Sequence, residues 1–267
     1  MNTFLHNPVI GAPPRLPLET SAPALPATSL AAPSLAARWQ PPAGLQPTAT
    51  GLWALPLAGA LLVALPVFLQ APWVRLAPFS AALFTAVLLL AGVVMALRRS
   101  PAWSTAGVLL VGFSGCWLGG CLFWGWFRLH PLWHLPIEAF ALPLAVAGLR
   151  GRWRLAGSFY LASLAGTACT DAVMALTGVM QRWTQVLQAP LDQAAQELQR
   201  AALGVLEPLP LLATLAAAAL LIGQCRRFWH HPDPAWRLAA SAIATTLAVD
   251  GLFLAAALWA PQLSGLI

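Results

Sequence analysis

The residues of this chain that could do chemistry sit in apolar surroundings. Glu138, Asp171 and Asp250 lie inside long apolar runs, Glu207 starts another, and Arg128, His130 and His134 fall just before Glu138. The densest stretch reads Gly125-Trp126-Phe127-Arg128-Leu129-His130-Pro131-Leu132-Trp133-His134-Leu135-Pro136-Ile137-Glu138. His134 and Glu138 are four apart, so on a helix they share a face and could share a proton. His130, His134 and Glu138 also follow the spacing of helical metal ligands. Pro131 and Pro136 break the regular helix which that geometry needs, so no metal site is assigned. One of the histidines could serve as an axial haem ligand, but nothing around it specifies a haem pocket, and no cofactor is assigned. Pro136 and Pro143 each delete a backbone N–H and free a carbonyl for a neighbour, water or an ion, as in the discontinuous helices that line transporter sites. Two readings stay open: a hydrogen-bond network repairing a kinked helix, or a site that binds a ligand or carries a proton.

The elements that must position these groups follow from composition. Of 267 residues, 59% are hydrophobic and 8% charged, with a mean hydropathy of +0.74. Soluble domains carry about a quarter charged residues, so water is not the main solvent here. From Gly51 onward, apolar runs recur at the length of about 20 residues that a bilayer crossing needs. Seven are expected, near 51–70, 79–97, 103–127, 132–149, 155–180, 205–224 and 238–260. The fold class is an all-α polytopic transmembrane bundle.

All 14 basic residues are arginine, and they alternate between the connections. Arg15, Arg38, Arg98, Arg99, Arg150, Arg152, Arg154, Arg226, Arg227 and Arg237 fall on one side, and Arg75, Arg128, Arg182 and Arg200 on the other. By the positive-inside rule the N-terminus is cytoplasmic and the C-terminus lies outside. The net charge of +6 is then topology rather than nucleic-acid binding, because the arginines stand singly or in pairs between apolar runs. Trp53, Trp73, Trp103, Trp126, Trp153, Trp183, Trp236 and Trp259 sit at run ends, as interface anchors do. The same topology puts the four acids, with Arg128, His130, His134 and Arg182, in the outer half of the membrane, where inward-facing helices would form one outward-opening polar pocket.

Residues 1–50 differ in kind. Ten prolines punctuate an Ala/Ser/Thr/Leu background, which no helix survives, so this part is read as a disordered tail. It has neither the basic start nor the apolar core of a signal peptide. At about 183–204, Trp183, Leu187, Leu191, Ala194, Leu198, Ala201 and Val205 follow a helical period among polar residues. This predicts an amphipathic helix on the outer surface, started or bent by Pro190. Gly115 and Gly119, and the small stripe Gly157, Ser158, Ser163, Gly166, Thr167 and Thr170, favour close helix crossings; the second could also present Asp171 to Glu138. Cys116, Cys121, Cys169 and Cys225 form no Cys-x-x-Cys pair and read as packing residues.

No nucleophile elbow, P-loop, zincin helix or dinucleotide fingerprint is present, and the chain is not expected to be an enzyme. The core of residues 125–140 and the later Gly-Ser-Phe-Tyr-Leu-Ala-Ser-Leu-Ala-Gly-Thr-Ala-Cys-Thr-Asp resemble a cyanobacterial family of multi-pass membrane proteins of unknown function. The resemblance covers most of 51–260 and leaves out the tail. It implies a photosynthetic bacterial host, a plasma or thylakoid membrane, and no catalytic residues to transfer. The outer pocket would then face periplasm or lumen, and a lumen's acidity would suit a His134/Glu138 proton switch. The expected function is a small-solute or ion/proton-coupled permease. The alternative is a non-catalytic subunit or assembly factor packed against other membrane proteins.

Overall fold

The computed structural model describes residues 49–263. The expected tail, 1–50, lies outside the described residues apart from the first two of α1. The described residues are helical, without a strand. In chain order they form α1 (Ala49–Leu65), a π-helical turn (Pro66–Gln70), α2 (Ala71–Leu76), α3 (Pro78–Ala96), α4 (Pro101–Leu122), a second π-helical turn (Phe123–Phe127), α5 (His134–Glu138), α6 (Leu142–Gly148), α7 (Arg154–Leu176), α8 (Val179–Gln188), α9 (Leu191–Val205), α10 (Pro208–Trp229) and α11 (Pro234–Trp259).

Six helical runs are long and apolar enough to cross a membrane: Ala54–Leu76, Pro78–Ala96, Pro101–Phe127, Arg154–Leu176, Pro208–Trp229 and Pro234–Trp259. The chain is an integral membrane protein. The exception among the seven expected spans is the fourth, 132–149. It is a string of short pieces: a 3-10 turn (Pro131–Trp133), α5, another 3-10 turn (Ala139–Ala141) and α6. Pro136 and Pro143 each withhold a backbone N–H from the helical ladder, and over this stretch the helix breaks into short pieces. The string nevertheless runs back along α4 and α7, with Glu138 against Gly119, Ala141 near Gly115, Ala145 against Gly157 and Gly148 against Trp153. Six helices are therefore long enough to span, and the fourth expected span is an interrupted segment packed along α4 and α7.

Helix α4 is the axis of the bundle. Its Gly107 meets the backbone of Gly92 and Ala96 on α3, and its Gly112 meets Ala156 on α7, at distances that leave no room for a Cβ. Trp117, 5% exposed, packs against Trp73, Phe84 and Phe113, and its indole N–H donates to the Ala81 carbonyl at 2.9 Å. The first π turn points the buried Gln70 amide at the Trp117 carbonyl and the Cys121 thiol. All four cysteines are free.

The expected surface helix is two helices, α8 and α9, separated at Ala189-Pro190. Pro190 has extended backbone (ψ 146°) and starts α9. Val186, Leu198, Ala201 and Ala202 form an apolar cluster with Ala257 of α11. Gln199 donates to the Leu258 carbonyl at 2.8 Å, which ties α9 to α11. At the opposite end, Arg152 donates to the Ala96 carbonyl and Arg154 pairs with Asp233, gathering the connections after α3, α6 and α10.

Candidate functional site

The break in the fourth segment positions the polar residues. Two prolines and two 3-10 turns leave backbone groups at 138–141 without helical partners, and α7 supplies them. Tyr160, the chain's single tyrosine, donates its hydroxyl to the Glu138 carbonyl and accepts the Ala141 N–H at 3.2 Å. One phenol therefore caps the end of α5 and the turn that follows. Gly119 of α4 lets this segment approach: a Cβ there would lie 3.1 Å from the Glu138 Cα.

One turn back, the His134 ring is stacked on Phe123 at 4.1 Å between centroids. Its Nδ1 lies 2.9 Å from Asp171 Oδ1 on α7, and its Nε2 lies 3.3 Å from Glu138 Oε1. Glu138 also accepts the Thr167 hydroxyl at 2.9 Å. The three side chains keep 19%, 19% and 12% exposure for His134, Glu138 and Asp171, so the cluster is sheltered yet reachable. A neutral imidazole has one N–H, and an ionised carboxylate only accepts. To bond both acids, the group must hold a second proton, on the other imidazole nitrogen or on one carboxyl. The arrangement can therefore hold one proton among three groups on two chain segments.

Asp250 of α11 joins at one remove. It accepts the Thr170 hydroxyl at 2.6 Å, and Thr170 is the neighbour of Asp171 on α7. The small stripe of α7 therefore has two uses. Gly166 admits Thr246 of α11 at close range, while Thr167 and Thr170 bond the two flanking acids. Helix α7 ends at Leu176, closed by Gly178 at φ 74°. Asp171 consequently lies about 8 Å from the helix end at 1.5 Å per residue, shallower than an end at 180 would give.

Arg128 and His130 are exposed on the connection after the second π turn, and neither side chain bonds the cluster among the described residues. Carbonyls of this connection are used instead: Trp183 donates to Arg128 and Thr184 to Leu129, which holds α8 in place. Glu207 is the exposed N-cap of α10. Among the described residues no group of three or more His, Cys, Asp or Glu side chains has a metal-binding arrangement, and His134 turns both nitrogens to acids. Sequence reasoning missed Tyr160 and Phe123. A lone tyrosine opposite a proline-broken run was the available signal for the first; nothing in the sequence singles out the second.

No curated protein and no solved structure matches the chain. A family model does match, over residues 59–258, a range that includes the interrupted segment, the cluster and all of its partners. The chain belongs to the family described as Protein of unknown function (DUF3120).

Proposed function

We propose that this membrane protein is a small proton-coupled permease in which Glu138, His134 and Asp171 form the proton-carrying site. The observation that carries the reading is the imidazole held between two carboxylates from different segments, at the break in the fourth crossing. Adding or removing one proton changes how many of those bonds can exist. The segment that feels the change is built of short helices joined by turns and is free of the rigidity of a continuous helix. Loss of the His134–Asp171 bond would free the His134 end of α5 from α7, while Thr167 and Tyr160 keep the Glu138 end tied. Asp250, reached through Thr170, offers the proton or a coupled cation a second carboxylate.

The arginine asymmetry supports an orientation in which the cluster opens away from the cytoplasm and the N-terminus lies inside. In a photosynthetic bacterium, as the resemblance implies, the site would face the periplasm or the thylakoid lumen. No enzymatic activity and no resident cofactor are proposed. The alternative reading, a non-catalytic subunit, drew on a free amphipathic surface helix. That motive is weaker now, because the apolar faces of α8 and α9 pack against α11 of the same chain.

The test is proton flux into liposomes containing the purified full-length protein and an internal pH dye, driven by a pH or potassium-diffusion gradient. Wild type should acidify the lumen faster than empty vesicles, and Glu138→Gln and Asp171→Asn should each abolish the difference. Unchanged flux in both folded variants would remove the cluster from the mechanism.

A further inference from the structure

A second feature lies at the opposite end of the bundle. A cleft of about 180 Å³ opens between α10 and α11, lined by Cys225, Arg226, Trp229, His230, Ala240 and Ala244. Its rim is cationic and aromatic, with Arg226, Trp229 and His230 all exposed, while its α11 side is the buried Ala240 and the exposed Ala244. The Cys225 thiol lies 3.4 Å from the Ala240 carbonyl, marking how closely the helices approach at its base. Only 6% of the apolar stretch of α10 is buried, so the cleft sits beside a lipid-facing helix.

The charge around it is one-sided. Arg98, Arg99, Arg150, Arg152, Arg154, Arg226, Arg227 and Arg237 belong to this end of the bundle, where Asp233 is the one carboxylate among the described residues and is paired with Arg154. Arg237 lies one turn before Ala240 on α11, and its Nε is buried with no hydrogen-bond partner. A ligand suited to this place needs an anionic oxygen group for the rim and an apolar part for the alanine wall and the membrane. Basic pockets between transmembrane helices at the cytoplasmic surface bind anionic lipid headgroups by this combination.

We propose that one anionic phospholipid binds here, its phosphate against Arg226 and His230 and an acyl chain lying along Ala240 and Ala244. This site is independent of the proton cluster. The interfacial Trp229 would border the headgroup, as indoles do at the glycerol level of a bilayer.

The experiment is native mass spectrometry of the full-length protein in detergent, titrated with phosphatidylglycerol or, separately, phosphatidylcholine. One phosphatidylglycerol should be retained in preference to phosphatidylcholine. Replacing both Arg226→Gln and His230→Gln should lower that retention at least about tenfold, since two charge-assisted contacts are lost. The single change Ala244→Leu, at the exposed end of the wall, fills the acyl-chain side and leaves every charge in place; it should lower retention as well, and it guards against misfolding of the double variant. A paired Arg98→Gln and Arg99→Gln change at the same end should leave it unaltered. Equal retention of the two lipids would overturn the proposal, as would an equal loss in the Arg98/Arg99 variant. Displacement of the lipid by millimolar inorganic phosphate would also overturn it by identifying a simple anion site.

Discussion

Helices α4 and α10 are the same length, 22 residues each, and nearly equal in mean hydropathy, yet 61% of the apolar stretch is buried in the span built on α4 and 6% in α10. The difference lies in small residues at contact positions rather than in apolarity. Helix α4 carries Gly107, Gly112, Gly115, Gly119 and Gly120, each with a neighbour pressed against its backbone. Helix α10 has Gly223 alone, with open space around it, and shows Leu209, Leu212, Leu215 and Leu220 to the outside. Lipid tails are as apolar as leucine, so a leucine face has no reason to pack inward, whereas glycines permit the close van der Waals contact that drives helix association in a bilayer.

The sharpest way to break this comparison is to add the same side chain to both helices. At Gly107 a Cβ would fall 2.2 Å from the Ala96 nitrogen and 2.6 Å from the Gly92 carbonyl, both backbone atoms that cannot yield. Gly107→Leu should therefore prevent recovery of a monodisperse folded protein in size-exclusion chromatography, while Gly223→Leu should elute and melt like wild type. If both variants fold, α4 is not the axis that its glycines indicate.

Truncation comes next in size. Trp117→Ala removes a buried indole and its bond to Ala81, and should cost about 3–5 kcal/mol in thermal or denaturant unfolding in detergent. Leu215→Ala, at a position 57% exposed, should stay within about 0.5 kcal/mol. Hydroxyl removal is subtler. Tyr160→Phe strands the Glu138 carbonyl and the Ala141 N–H and should destabilise by about 1–3 kcal/mol. Thr214→Ala in α10, whose hydroxyl bonds only the Pro210 carbonyl one turn back, should be almost silent in the same assay. A smaller effect than that of Tyr160→Phe is expected at Arg154, whose side chain is 41% exposed in its pair with Asp233. Arg154→Gln should shift stability by no more than about 1 kcal/mol, with the gap to wild type narrowing as salt is raised. A larger loss would mean that this pair, rather than glycine packing, anchors α10 and α11 to the rest.

Much of the architecture was legible in the residues. Runs of about 20 apolar positions marked all six membrane-capable helices, with ends displaced by up to about six residues, because hydrocarbon thickness sets the length of any span. The fourth run was apolar enough to be counted, and its prolines were visible, but hydropathy averages over a window and does not register a break in the hydrogen-bond ladder. The amphipathic stretch was legible as a period and as a bend at Pro190, though not as two helices covering α11. For the site, the i, i+4 relation of His134 and Glu138 was local and held. The contact of His134 with Asp171 spans 37 positions and depends on how α5 lies against α7. Arg128 and His130 stand close to His134 in sequence, yet the turn at Pro131 separates their exposed side chains from it.

By itself, then, the sequence determined the solvent of this protein, the positions and order of its six long apolar helices, where the arginines fall along the chain, and which few ionisable groups lie within apolar runs. These follow from local composition, since each span meets the bilayer on its own terms. Only the tertiary structure decided which helix is central, that the proline-broken segment is repaired by Tyr160, and that one imidazole joins two carboxylates. Those depend on backbone approach at particular glycines and on hydrogen bonds between segments distant in the chain. In a membrane nearly every side chain is apolar, so the pattern of apolarity cannot say which faces meet.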